Sequence, residues 1–175
     1  MPLQISEAAG ETFRQALASF ASGVTVITVW DAEGRPYGMT ANAFSSVSTD
    51  PLTVLICLNR DTRTYGDVCA RGRFGVNILQ RSALDISTYC SRPGSDKHLL
   101  PEWIHPAQSD QQPPVLVDAL AYLDCSVETE MHAGTHAVIL GQVGAIGLVE
   151  QGDVAPLLYF RGRYHELKAM ESLTA

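Results

Sequence analysis

Short apolar runs rich in β-branched residues recur along the chain, and turn residues separate most of them. The runs VTVITVW at 24–30 and LTVLICL at 52–58 are typical. Runs of about four to eight such residues indicate β-strands. Because the strands do not alternate regularly with helices, we predict a mainly β protein, a Greek-key-like antiparallel barrel with a few short helices. The predicted strands cover 24–30, 37–44, 52–58, 74–79, 121–131, 137–149 and 157–160, with a further candidate at 164–167.

One amphipathic helix is predicted before the first strand. Phe13, Ala16, Leu17 and Phe20 repeat with the spacing of one helical face, and Gly23 follows as a stop signal. The pattern predicts about three turns of helix.

Two more short helices are predicted between strands. The first covers 64–70 and ends before Gly72. The second begins at Ser82, because Ser-x-x-Asp with Asp85 has the form of a capping box.

The length of the chain predicts one domain. Its 175 residues, numbered 1–175, fit a single domain with a core at about 13–167. The segment 91–114 is rich in proline and has no clear period, which predicts a long binding loop or lid. Its apolar residues, from Leu99 to Ile104, argue against disorder.

Charge and cysteine usage exclude several classes of protein. A net charge of -7 without a basic cluster disfavours nucleic-acid binding. The apolar runs are too short for a membrane helix, and the N-terminus does not resemble a signal peptide, so we expect a soluble cytoplasmic protein. The four cysteines form no C-x-x-C pair, and we expect mostly buried thiols rather than zinc ligands or disulfides.

Common catalytic motifs are absent from the sequence. GQVGAIG at 141–147 does not match G-x-G-x-x-G, and no P-loop or G-x-S-x-G is present. His132 and His136 are four residues apart, but the AGT between them is typical of a turn, so we predict no metal site.

Two polar clusters at strand ends are the candidate binding residues. GMTANAFSSVSTDP at 38–51 is rich in hydroxyl groups, and NRDTRT at 59–64 places two arginines and two threonines beside a predicted helix start. Hydroxyl, amide and arginine groups in such places suit a phosphorylated ligand such as a flavin. The alternatives are a Ser/Thr-rich turn for the first cluster and a solvated loop for the second.

Four ordered segments resemble a known family. They are 23–64, FGVNIL at 74–79, GTHAVILGQV at 134–143 and PLLYFRGRYHEL at 156–167, and together they are similar to the short flavin reductases, the reductase components of two-component flavin-dependent monooxygenases. The resemblance implies a split β-barrel, a homodimer, and NADH- or NADPH-dependent reduction of FMN or FAD. It also implies a separate partner oxygenase that receives the reduced flavin.

The resemblance also assigns site residues. It places His136, within Gly-Thr-His where the family usually has Gly-Asp-His, near the nicotinamide, with a satisfied strand histidine as the alternative. Residues 61–63 fall at the flavin phosphate, and an aromatic residue follows in the C-terminal Gly-x-Tyr. The implied flavin residues are Thr40, Ala41, Asn42, Ala43, Phe44, Ser46, Val47, Asp61, Thr62, Arg63 and Tyr164.

Two other functions are compatible with the same residues. One is a flavin-binding module without turnover. The other is an enzyme that keeps its flavin and reduces a different acceptor, such as a quinone or a metal complex.

Overall fold

A computed structural model describes residues 8–94, 96–106, 112–149 and 154–167. The helices are α1 (Gly10–Ala18), α2 (Arg63–Arg71) and α3 (Leu84–Ser91), with 3₁₀ turns at Arg81–Ala83 and Pro101–Trp103. The strands are β1 (Ser22–Gly23), β2 (Thr25–Trp30), β3 (Pro36–Ala41), β4 (Phe44–Thr49), β5 (Leu52–Asn59), β6 (Arg73–Leu79), β7 (Ala119–Ala133), β8 (His136–Leu148), β9 (Leu157–Phe160) and β10 (Arg163–Glu166).

The strands form two antiparallel sheets. Seven of them lie in the order β3-β2-β6-β7-β8-β5-β4, and a small sheet has the order β1-β9-β10. Every pairing is antiparallel, so the predicted mainly β, antiparallel fold with few short helices is confirmed.

Two apolar clusters pack against the two faces of the large sheet. Ile27 and Val29 of β2 lie in the first cluster with Phe74, whereas Val26 lies in the second with Ile86 of α3. Successive side chains of a strand point to opposite faces, so a strand covered on both faces has a nearly continuous apolar run. This explains why the β2 sequence shows no alternation.

A close approach between strands explains the glycine at position 141 of β8. A Cβ placed there would lie 2.5 Å from Cζ of Phe74, a fully buried side chain. The ring of Phe74 therefore occupies the space that any larger residue at 141 would need.

The predicted capping box is wrong, and the first helix has a feature that its periodicity does not address. α1 ends at Ala18, and the large apolar residues of the predicted face are exposed: 61% for Phe13 and 57% for Leu17 in the helix, and 78% for Phe20 just after it. α3 begins at Leu84 without a side-chain cap, because the Ser82 hydroxyl donates to Asp118 (2.9 Å) instead of forming the predicted capping box. Periodicity located α1 and the Ser-x-x-Asp pattern located α3, but neither pattern specified these contacts.

The hydroxyl-rich stretch adopts a different backbone from the one predicted. β3 ends at Ala41, and residues 44–49 form the edge strand β4, with a bulge between Ser46 and Ser48. An edge strand keeps one side in solvent, so serine and threonine side chains are tolerated there.

The described part of the proline-rich segment 91–114 contacts the barrel. Its described residues pair with β3 through Leu99 N–H to the Pro36 carbonyl (2.9 Å), and Leu99 is buried. Residues 95 and 107–111 of the predicted loop lie outside the described residues.

The burial of the cysteines can be compared with the expected buried thiols, and the helices with the expected absence of a membrane helix. Cys90 and Cys125 are buried thiols, but Cys57 is half-buried and Cys69 is exposed. No helix in the described ranges has the length and apolar character needed to cross a membrane.

Candidate functional site

Three neighbouring cavities share lining residues and form one row. The helix cavity, about 540 Å³, meets the tyrosine cavity, about 350 Å³, at Asn42 and Tyr159. The tyrosine cavity meets the arginine cavity, about 500 Å³, at Lys97. The helix cavity is lined by Arg14, Leu17, Ala18, Phe20, Ser22, Asn42, Ala43, Phe44, Leu55 and Tyr159. The tyrosine cavity is lined by Met39, Thr40, Asn42, Cys90, Ser91, Lys97, Tyr159, Gly162 and Tyr164. The arginine cavity is lined by Tyr37, Asp61, Thr62, Arg63, Thr64, Gly94, Asp96 and Lys97.

The row contains most of the residues predicted from the sequence. Eight of them line it: Thr40, Asn42, Ala43, Phe44, Asp61, Thr62, Arg63 and Tyr164. Ala41 is buried in the barrel core, and Ser46 and Val47 are exposed on β4 away from the three linings. The structure therefore brings the two polar clusters of the sequence to one surface, although about 20 residues separate them in the chain.

A hydrogen-bonded chain forms one wall of the tyrosine cavity. The Thr40 hydroxyl donates to the Ser87 carbonyl of α3 (2.7 Å), and the Ser87 hydroxyl pairs with the Tyr164 hydroxyl (2.9 Å). Tyr164 also meets Tyr159 edge to face, with ring centroids 5.4 Å apart. The wall thus joins β3, α3 and the small sheet, and both tyrosine rings are fixed by neighbours.

The first turn of α2 positions the polar residues of the arginine cavity. Thr62 caps this helix, because its hydroxyl oxygen accepts the Tyr65 N–H (3.3 Å) while the hydroxyl donates to the Asn59 carbonyl (2.6 Å). Such a cap fixes the backbone at the start of the helix, where Thr62, Arg63 and Thr64 line the cavity. The first N–H groups of a helix have no carbonyl partner within the helix. Arg63 directly follows the cap.

The guanidinium of Arg63 is surrounded by carboxylates. Its Nη2 lies 2.7 Å from Asp31 and 3.6 Å from Glu33, and its Nε lies 3.5 Å from Asp67. It also stacks on the ring of Tyr37, 4.9 Å from the ring centroid. These contacts hold the side chain in place, and the carboxylates compensate its charge.

Asp31 is the centre of this ion cluster and is fully buried. It accepts hydrogen bonds from the backbone N–H of Arg35 (2.8 Å), from Arg63 (2.7 Å) and from Nε2 of His98 (2.8 Å). Burial alone raises the pKa of Asp31, but the hydrogen bonds from Arg35 and His98 and the charge of Arg35 outweigh it and hold the pKa well below its ordinary value. The carboxylate is therefore charged at neutral pH.

His136 lies at an exposed turn beside the arginine cavity but does not line it. It pairs with Asn59 across β8 and β5, and the Thr135 carbonyl accepts the Arg60 N–H (3.0 Å). Gly134 has a positive φ of 61°, which makes the tight turn. His136 is thus next to the 59–62 loop and accessible from solvent.

The sequence interpretation missed two charged residues of this site. The sequence patterns assigned no role to Asp31, which follows the predicted strand 24–30, and Lys97 lies in the aperiodic segment 91–114. An Asp directly after an apolar strand was the available signal for the first residue. The sequence held no signal for Lys97, because its position depends on pairing with β3, about 60 residues earlier in the chain.

Known proteins resemble the chain along most of its length. The model of the Flavin reductase like domain family matches residues 17–168. A probable flavin reductase of Rhizobium meliloti (strain 1021) is 38% identical over 151 residues, which are 86% of this chain and 47% of the relative. The NADH-dependent flavin reductase StyB of Pseudomonas fluorescens is 37% identical over 154 residues, 87% of each chain.

The fold agrees with that of solved relatives. The structure of the flavin reductase PheA2 in its native state superposes with a TM-score of 0.80 at 34% identity, covering 93% of this chain and all of that one. The split β-barrel expected from the resemblance is confirmed. The chain spans about half the length of the Rhizobium meliloti relative, and most of StyB.

Proposed function

The chain belongs to the flavin reductase-like domain family, and on that premise we propose that it reduces FMN or FAD with NADH or NADPH. The observation that carries the proposal is the row of three cavities, whose lining changes from mainly apolar and aromatic to hydroxyl-bearing and then to one that carries the cations Arg63 and Lys97 beside two carboxylates. A flavin nucleotide has the same order of parts: an apolar ring system, a ribityl chain and a phosphate. The residues present therefore fit the ligand.

The chain's contribution is mainly positioning. The bound flavin and the nicotinamide supply the hydride-transfer chemistry itself. Phe44 and Tyr159 offer apolar surface for a ring, and the amide of Asn42 can meet its polar edge. Thr62 and Arg63 stand at the phosphate end. Fixing two reactants in one orientation removes much of the entropic barrier to their reaction.

His136 is proposed to orient the nicotinamide. Its exposed position at the β7–β8 turn, beside the 59–62 loop, supports this role more than that of a packed core histidine. The side chain bonds only to Thr135 among the described residues, with Nδ1 2.9 Å from the hydroxyl, so the other ring nitrogen is available to a ligand.

The test of the proposed activity is NAD(P)H oxidation followed at 340 nm with FMN or FAD as acceptor. We expect turnover that depends on added flavin, with bound flavin exchanging with free flavin between cycles. Flavin binding without oxidation of either nicotinamide would indicate a binding module. Turnover with a quinone but without flavin exchange would indicate an enzyme that keeps its flavin.

We also propose a homodimer that buries the apolar face of α1. Phe13, Leu17 and Phe20 are largely exposed and line, or adjoin, the helix cavity, so a second copy of the chain covering them would complete that cavity. Light scattering after gel filtration should give twice the chain mass. Phe20→Ser should shift the protein towards monomer, whereas Leu100→Ser, which changes an exposed leucine elsewhere, should not.

The proposal also covers the partner oxygenase, the cellular location and the domain organisation. Reduced flavin is handed to a separate oxygenase, and the cytoplasm is the proposed location because the nicotinamide and flavin pools are there. We propose residues 1–175 as one domain, in which 91–114 contributes a binding loop. Coupled oxygenation by a candidate oxygenase, with the reductase held behind a dialysis membrane, tests the transfer of free reduced flavin.

A further inference from the structure

The side chain of Lys97 lies at the junction of the tyrosine and arginine cavities and lines both. Its main chain is fixed against the edge of β3, because the Gly38 N–H donates to the Lys97 carbonyl (3.1 Å) and the Leu99 N–H donates to the Pro36 carbonyl (2.9 Å). Only 9% of the residue is exposed. The backbone pairing thus places a lysine at the centre of the row.

The ammonium group of Lys97 has no hydrogen-bond or ion-pair partner among the residues that the structure describes. The neighbouring carboxylate, Asp96, pairs with Nδ1 of His98. The neighbouring thiol, Cys90, is neutral, because burial raises its pKa to about 12. Burial in turn lowers the pKa of Lys97. The side chain lines two cavities and no carboxylate of the described residues pairs with its ammonium group, so an anionic ligand in the row would supply the counter-charge.

The other cation of the arginine cavity is compensated by the protein. Arg63 contacts Asp31, Asp67 and Glu33, as described above. Asp61 and Asp96 add two more carboxylates to the described lining. Among the described cations that line this cavity, Lys97 is the one that forms no ion pair with a carboxylate, and an anionic ligand would meet it there.

We propose that Lys97 is the cation that binds the phosphate of the flavin nucleotide, and that Arg63 is a positioning residue for the same end of the ligand. This proposal rests on the proposed function. The phosphate of FMN and the pyrophosphate of FAD share the chemistry that Lys97 recognises, whereas riboflavin lacks it. Removing the lysine should therefore change the affinity for FMN and leave the affinity for riboflavin unchanged.

The experiment measures binding of FMN and of riboflavin by quenching of flavin fluorescence. For the wild-type protein we expect tighter binding of FMN than of riboflavin. Lys97→Met should weaken FMN binding roughly 10- to 100-fold, the range of a charge-assisted hydrogen bond, and should leave riboflavin binding within about twofold. Lys97→Arg should retain most of the affinity for FMN.

Two control variants make the comparison specific. Arg81→Met removes an exposed cation outside the three linings and should change neither affinity. Arg63→Met should weaken FMN binding less than Lys97→Met does, and should lower the melting temperature because Asp31 loses a partner. Lys97→Met should melt at the wild-type temperature or above it, since no ion pair among the described residues is lost and the mostly buried side chain becomes apolar.

Three results would overturn the proposal. The first is equal affinity of the wild-type protein for FMN and riboflavin, which needs no variant to fold. The second is an equal loss of both affinities in Lys97→Met, which would make the lysine a ring contact. The third is a larger loss of FMN affinity in Arg63→Met than in Lys97→Met. Absence of NAD(P)H oxidation alongside normal FMN binding would instead refute the proposed reductase activity and leave the phosphate site standing.

Discussion

Replacing the buried carboxylate of Asp31 by an amide should destabilise the fold strongly. Asp31→Asn keeps the size of the side chain but removes the charge that faces Arg35, Arg63 and His98. Losing one partner of a buried ion pair costs about 3 to 5 kcal/mol. Arg35 and Arg63 are 52% and 41% exposed and recover hydration, so we reduce the expected loss to about 2 to 4 kcal/mol. For a chain of this length that is a fall in melting temperature of roughly 5 to 15 °C.

The assay is thermal unfolding followed by circular dichroism at neutral and acid pH. Because the pKa of Asp31 lies lower in the folded protein than its ordinary value of 3.8, its stabilisation is present above that value and is lost as the pH falls below it. The gap between wild type and Asp31→Asn should therefore close in acid. Glu33→Gln is the matched control, since Glu33 is 61% exposed and pairs with Arg35 (2.8 Å) at the surface. Equal melting temperatures for the two variants at pH 7 would refute the role assigned to Asp31.

Two further predictions concern packing and the nicotinamide. Gly141→Ala should lower the free energy of unfolding by about 1 to 3 kcal/mol, because the new methyl group meets the buried ring of Phe74. In the control Gly144→Ala the new methyl group has no neighbour closer than 3.9 Å among the described residues beyond the two adjacent in the chain, so the loss should be smaller. Similar denaturant midpoints for the two variants would contradict this packing. His136→Ala should raise KM for NAD(P)H or slow flavin reduction in stopped flow while flavin affinity stays nearly unchanged. A lowered melting temperature with normal reduction would make that histidine structural.

The strands could be predicted because their chemistry is local. Apolar β-branched runs such as 24–30 and 52–58 form strands wherever a second sheet or a helix covers them. The observed strands β2 and β5 begin and end within one residue of the predicted bounds. The end of β3 at Ala41 and the separate edge strand β4 at Phe44–Thr49 were not predictable, since nothing in the sequence marks the edge strand of a sheet. The exposure of the apolar face of α1 could not be predicted either, because periodicity defines a face but not what covers it.

The grouping of the candidate site residues was predictable where it depends on sequence neighbours and was missed where it depends on distant pairing. Thr62 and Arg63 follow directly from a strand and a helix start, so their joint position was predictable. The hydrogen bond from Thr40 to Ser87 spans 47 residues, and the contact between Asp31 and His98 spans 67. Contacts of that kind follow from strand order and loop packing, which a single sequence does not specify.

The contact between Asp31 and His98 links the stability of the fold to the proposed phosphate site. Asp31 lies at the end of β2, yet it binds both the guanidinium of Arg63 and the imidazole of His98, the residue that follows Lys97. The carboxylate of Asp31 thus holds Arg63 directly, and it positions Lys97 through the neighbouring residue His98. Loss of this charge should consequently loosen the 96–99 segment from β3 and weaken phosphate recognition together with stability. FMN affinity of Asp31→Asn should fall more than riboflavin affinity even at temperatures well below its unfolding transition, because the proposed ring contacts at Phe44 and Tyr159 belong to other strands.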